Sequence, residues 1–264
     1  LLVLPDDVLV DESLAKKLTA YLKTGGKILS TGDSGLDSSK QRFALKNWGL
    51  KYEGPEEYKV SFFSVLDPVN SGMPAIEHTI YEPGIRVRPL KGVKTLATHV
   101  NPYFDDKKEG FHPCTYIPPD KASGYPAVTQ CGGVVHVSFP VFTVYARDAV
   151  INYRTLIGNC ISLLLPAPLV LVENLPSFAR VTLTARKGMI MAHILNYCPE
   201  LRGKQQVIEE PLPAVNVGLS LRKTGVKKVY TAPDLDPVEF KTESGRTSVR
   251  LLVVTGYQMI VFEF

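Results

Sequence analysis

The run best placed to do chemistry is Ser30-Thr31-Gly32-Asp33-Ser34-Gly35, which directly follows an apolar strand signal over 27–31. A nucleophile elbow needs a tight turn at that point, so that Ser or Cys projects from the strand end between glycines. Gly32 precedes Ser34 by two, but Leu36 stands where the second glycine belongs, and none of the four cysteines (Cys114, Cys131, Cys160, Cys198) is near. The spacing therefore predicts a glycine-bearing loop with no nucleophile, and a hydrolase using Ser34 is carried only as an alternative. Carboxylate doublets stand at Asp6-Asp7, Glu56-Glu57, Asp105-Asp106 and Glu209-Glu210. A glycosidase holds two carboxyls ~5–9 Å apart across a sugar site. Neighbours on a strand point to opposite faces, so these doublets read as solvated loop charges. The five histidines (His78, His99, His112, His136, His193) have no zinc-enzyme spacing, and His112-Pro113-Cys114 offers two ligands where zinc needs four. No cofactor, metal or catalytic residue is assigned. His136 and His193 lie in apolar runs and read as satisfied core residues. Tyr103, Phe104, Phe111, His112, Tyr116 and Tyr125 make the 101–125 segment aromatic. Within it His112, Tyr116 and Tyr125 are the residues suited to a sugar or subunit contact.

The elements that must position these residues change character along the chain. Leu1-Leu2-Val3-Leu4 is a continuous apolar run of the kind buried on both faces of a parallel sheet. Because it opens the sequence, without a basic leader, we expect the chain to be part of something longer. Asp11 caps a helix with Leu14, Leu18 and Leu22 on one stripe, stopped by Gly25-Gly26. A strand over 27–31 and a short helix over 43–48 complete a strand–helix alternation that implies a parallel sheet. The pattern from Tyr58 to Val100 is strand-rich, and 101–125 reads as a long surface excursion. A strand over 134–139 and an amphipathic helix over 146–165 close this part at Pro166-Ala167-Pro168. From there the hydrophobic period is two. Ala179, Val181, Leu183 and Ala185, and then Val215, Val217, Leu219 and Leu221, alternate with polar residues, as in an antiparallel sandwich. The boundaries are 1–166 and 167–264.

The totals remove several function classes. The net charge of +4 is dispersed, and the densest basic patch, Arg222-Lys223 with Lys227-Lys228, lacks interleaved aromatics, so no nucleic-acid partner is expected. No apolar run is long enough to span a bilayer, so no membrane partner is expected either. The widely spaced cysteines leave the compartment open.

Several of these segments together resemble a known module. They are Leu1 to Asp6, Gly25 to Gly35, Arg42-Phe43-Ala44-Leu45, Gly124-Tyr125-Pro126-Ala127-Val128, Gly132 to Phe139 and Leu164-Leu165-Pro166. They look like the trimerisation domain of family 42 β-galactosidases and of related glycoside hydrolases with an α-L-fucosidase-like barrel. His193-Ile194-Leu195-Asn196-Tyr197 resembles the sandwich strand that follows it. The resemblance implies a flavodoxin-like, class I glutamine amidotransferase-like α/β domain without its nucleophile. It also implies a homo-oligomer, a trimer by analogy, and catalysis in an N-terminal (β/α)₈ barrel absent from this sequence. The expected function is thus non-catalytic assembly within a glycoside hydrolase of carbohydrate metabolism. A carbohydrate-binding module with its ligand on the sandwich is the further alternative.

Overall fold

The computed structural model describes residues 1–104 and 117–264. The chain divides into two compact units, Leu1–Pro166 and Ala167–Phe264. Both are mostly β.

The first unit runs β1 (Leu2–Leu4), α1 (Glu12–Lys23), β2 (Ile28–Thr31), a 3₁₀ turn (Lys46–Trp48), β3 (Leu50–Pro55), β4 (Ser61–Val65), β5 (His78–Ile80), β6 (Ile85–Pro89), β7 (Lys94–Pro102), β8 (Pro119–Cys131), β9 (Val134–Val137), α2 (Val141–Asp148) and α3 (Ile151–Leu164). Seven of these strands form one sheet in the order β1-β2-β9-β8-β7-β4-β5. The expected parallel sheet is present only in part: β1, β2 and β9 are parallel, whereas β8, β7, β4 and β5 join antiparallel. The reason lies in the connections. A helix carries the chain from β1 to β2, but Gly132-Gly133 folds β8 directly onto β9 with Cys131 opposite Val134, and a two-residue hairpin forces antiparallel pairing.

Local chemistry sets the helix ends. The Asp11 carboxylate accepts the Leu14 amide at 2.7 Å and caps α1. The single helix expected over 146–165 is two, because Ala149 adopts a left-handed conformation (φ 51°) that ends α2 before α3 begins. The short helix expected over 43–48 is only a 3₁₀ turn ending at left-handed Gly49. The sheet is covered on both faces. Leu29, Val135 and Val137 pack with Tyr153, Leu156 and Cys160 of α3. Leu4, Ile28 and Val134 pack with Leu18 of α1, Trp48 and the β3–β6 ribbon. Gly35 permits this second layer, since a Cβ there would stand 2.5 Å from the Trp48 ring.

At its described ends the 101–125 segment forms a hairpin stem. β7 continues to Pro102 and β8 starts at Pro119, with Pro102 opposite Pro119 and Val100 opposite Ala122.

The second unit runs β10 (Val170–Glu173), β11 (Arg180–Arg186), β12 (Met189–Asn196), β13 (Glu200–Arg202), β14 (Gln205–Val207), β15 (Ala214–Leu221), β16 (Lys228–Ala232), β17 (Phe240–Glu243), β18 (Arg246–Val254) and β19 (Gly256–Glu263). Two four-stranded antiparallel sheets, β10-β15-β18-β17 and β11-β12-β19-β16, share one core. Val217, Leu219 and Leu251 from one sheet meet Ile194, Ile260 and Phe262 from the other. The alternation breaks at Asn216, whose φ of 54° turns Ala214 inward and leaves Val215 62% exposed, against the sequence expectation for Val215.

Candidate functional site

The loop after β2 is a structural joint. Ser34 is fully buried, and its Oγ accepts the Val8 amide at 3.0 Å. A hydroxyl held this way has no approach for a substrate, which counts against a Ser34 hydrolase. Asp6, expected among solvated charges, is instead 8% exposed. Its carboxylate accepts the Phe142 amide at 3.2 Å, the Thr143 amide and hydroxyl at 2.6 Å each, and the Thr31 hydroxyl at 2.6 Å. Asp6 thus caps the first turn of α2 from the far end of β1, where unpaired amides favour a negative charge. Gly32 allows the approach: a Cβ there would lie 2.5 Å from the Asp6 carbonyl.

Two serine–histidine pairs occupy the sheet. On β2 and β9, Ser30 Oγ accepts Trp48 Nε1–H at 2.8 Å and lies 3.0 Å from His136 Nδ1. His136 Nε2 is buried without a partner, and the ring meets Phe43 edge-on at 5.2 Å. Burial disfavours the charged imidazolium and pulls the His136 pKa down to about 3. His136 is a core residue as expected, but only one of its nitrogens is satisfied. His193 is not in the core: it lies half-buried on the outer face of β12, between Thr184 Oγ1 at 2.8 Å and the Tyr257 hydroxyl at 2.7 Å.

The second pair is richer in polar groups. His99 on β7 is 5% exposed, with Nε2 2.9 Å from Ser61 Oγ and 3.4 Å from Glu56 Oε2, and Nδ1 3.0 Å from Ser123 Oγ. The Ser123 hydroxyl donates to the His99 carbonyl at 3.2 Å, so its oxygen is left to accept from Nδ1–H. That tautomer turns the Nε2 lone pair toward the Ser61 hydroxyl. Burial lowers the His99 pKa, Glu56 raises it, and Arg86 lowers it again, for a net fall. Glu56, expected in a solvated doublet, has a side chain only 4% exposed because Arg86 grips it, with Nη2 3.1 Å from Oε1. Arg86 also reaches Glu57 at 2.7 Å, and these hydrogen bonds raise its pKa further.

This Ser–His–Glu group is not a catalytic triad. A triad places its carboxylate on the imidazole nitrogen opposite the nucleophile. Here Glu56 and Ser61 share Nε2, and a serine occupies the other nitrogen. Ser61 is 1% exposed, and the crevice beside it is too narrow for a water molecule. What the group does is fix the base of the β7–β8 stem: His99 and Ser123 tie the two strands, and Glu56 orients Arg86.

Tyr125 stands on that base. Arg86 and Arg88, two apart on β6 and so on one face, lie 5.5 and 5.6 Å from its ring centroid. Arg88 is paired in turn with Glu53 at 3.5 Å. The half-buried ring is held in a ladder of alternating charge, a cation–π arrangement that anchors the C-terminal side of the excursion. His112 and Tyr116 lie outside the described residues, as do Asp105-Asp106 and Cys114. Glu56, Ser61, Arg86 and His99 were missed as a group. Their only sequence signal was the alternation of Ile85 and Val87 with Arg86 and Arg88. Among the described residues, no three His, Cys, Asp or Glu side chains converge as a metal site.

Comparison with known proteins fits this architecture. No family model matches the chain, and no curated protein sequence does. Solved structures do match. Alpha-L-fucosidase isoenzyme 2 from Paenibacillus thiaminolyticus superposes over 99% of this chain with a TM-score of 0.91 and 25% identity. The beta-galactosidase from Rahnella sp. R3 superposes over 99% with a TM-score of 0.52 and 13% identity. The structural neighbours are glycoside hydrolases. The chain spans 40% of the length of the fucosidase and 32% of that of the galactosidase.

Proposed function

We propose that this chain is the non-catalytic assembly and accessory region of a glycoside hydrolase acting on carbohydrates. In this reading the first unit corresponds to the trimerisation-type, flavodoxin-related domain of β-galactosidases, the second is its accessory sandwich, and catalysis belongs to a barrel outside this sequence. The observation that carries the reading is the superposition on a fucosidase over 99% of the chain but 40% of that enzyme. Two of the carboxylates weighed in the sequence are engaged in structural contacts. Glu56 is engaged by Arg86, and Asp6 by the α2 amides. Tyr125, with His112 and Tyr116, is assigned to a contact with a neighbouring subunit or its sugar. Self-association into a closed homo-oligomer is the expected outcome for such a domain.

Two measurements test this. The purified chain should turn over neither aryl α-L-fucosides nor aryl β-galactosides; turnover lost in Glu56→Gln would refute the non-catalytic assignment. Sedimentation equilibrium should give a multiple of 29.1 kDa. A monomer persisting at about 100 μM would refute the assembly role, since closed interfaces of ordinary size bind more tightly than that.

A further inference from the structure

The outer face of the β10-β15-β18-β17 sheet carries a groove of about 540 Å³. Strand register dictates its floor. Glu173, Gly218 and Arg250 lie side by side across three strands, and Leu171, Ser220, Ser248 and Lys241 across four. The two inner strands therefore hold a glycine, two serines and Arg250, with Leu171, Glu173 and Lys241 on the outer strands. A Cβ on Gly218 would come within 3.0 Å of Glu173 Oε2 and 3.4 Å of Arg250 Nη2, so the glycine makes room for the ion pair above it.

The polar groups are fixed and still have capacity. Arg250 Nη2 donates to Glu173 Oε2 at 3.0 Å, and its Nη1 donates to the Asn216 carbonyl at 3.1 Å, which holds the guanidinium plane from two sides. Ser220 Oγ accepts from Arg246 Nε at 2.8 Å and from the Ser248 hydroxyl at 3.0 Å. Its own hydrogen is left to donate, and Ser248 keeps lone pairs to accept with. The charges on the walls, Glu173 and Glu239 against Lys241 and Arg250, balance, and Arg246 beside Ser220 directs its donors to Ser220 and the Pro168 and Leu169 carbonyls. An anion would meet an arginine already neutralised by Glu173, and a cation would meet lysine and arginine. A neutral ligand bearing many hydroxyls meets alternating donors and acceptors, with the 47% exposed Leu171 against its C–H face.

We propose that this groove binds a neutral saccharide. The choice of sugar among neutral polyhydroxylated ligands rests on the glycoside-hydrolase reading above; the site itself does not. Phe240, the aromatic residue at this groove, packs against the sandwich core and not as a platform, so binding should have a dissociation constant on the order of 1 mM.

The test is a titration of the whole isotopically labelled chain with lactose, fucosyllactose and galactotetraose, followed through backbone amide shifts. Polygalacturonate and inorganic phosphate serve as charged controls. Saturable shifts should centre on Gly218, Ser220 and Ser248 and vanish in Ser248→Leu, which fills the groove at an exposed position. Arg250→Ala should weaken binding by roughly tenfold. Absence of groove shifts with all three sugars up to about 20 mM overturns the proposal. So do shifts that persist unchanged in Ser248→Leu, or that either anion reproduces equally. None of these outcomes bears on turnover or oligomeric mass, so failure here is distinct from failure of the assembly role.

Discussion

Ser30–His136 and Ser61–His99 have almost the same heavy-atom separation, 3.0 and 2.9 Å, in the same sheet, yet they are physically different objects. The first is dry. Its ring has one bonded nitrogen, an aromatic edge and no counter-charge, so the only cheap state is neutral. The second sits against a carboxylate and a guanidinium, so its proton is part of a charge network. Neither is a nucleophile–base pair. A short Ser–His distance is thus weak evidence of catalysis. Access to substrate, and which nitrogen the carboxylate faces, decide it.

The comparison can be broken most forcefully at Glu56. Glu56→Ala leaves the Arg86 guanidinium without its buried acceptor and should cost about 3–5 kcal/mol, measured by urea denaturation. Glu56→Gln, which keeps a carbonyl for Arg86, should cost clearly less. Equal costs would mean that the charge contributes nothing.

The pH dependence separates the two histidines. The unfolded chain takes up a proton at His136 near the ordinary histidine value of about 6.5, while the folded ring resists until about pH 3. The contribution is therefore fully present above about pH 6.5 and is lost as pH falls through that window, with a limiting slope of about 1.4 kcal/mol per pH unit. His136→Phe should flatten the fall in melting temperature between about pH 6.5 and 4. At His99 the same sign holds, but Glu56 opposes the depression, so Glu56→Gln should steepen the acid loss. A calorimetric pH series on the three proteins checks both, the slope being the readout rather than the absolute stability.

Smaller effects sharpen the picture. Trp48→Phe removes the Nε1–H donated to buried Ser30 and should cost about 1–2 kcal/mol. An unchanged denaturation midpoint would show that the Ser30–His136 pair does not need it. Tyr125→Leu removes the ring between the two arginines and should cost about 1 kcal/mol or less in stability. If the assigned contact is real, the same variant should weaken self-association more than it weakens folding, as read by sedimentation velocity.

Local chemistry was enough for several features. Asp11 followed by a Leu14, Leu18 and Leu22 stripe and then Gly25 specifies α1, because a cap, an apolar face and a stop all act within a few residues. The strands over 27–31 and 134–139 were legible for the same reason, as were the period-two strands after Pro168. Even the resemblance to glycoside-hydrolase modules rested on such short runs. Strand direction was not legible beyond β9: it depends on which strands the β7–β8 stem brings into the sheet, a choice made by long-range pairing. Asp6 and Glu56 read as surface charges because their partners, Thr143 and Arg86, are 137 and 30 residues away in sequence. Whether a carboxylate is solvated or buried is a property of what packs around it. The groove over Gly218 has the same origin. The sequence alone placed a glycine in an alternating strand, and only the pairing of β10, β15 and β18 set Glu173 and Arg250 on either side of it, so that their ion pair closes over the missing side chain and forms one end of the groove.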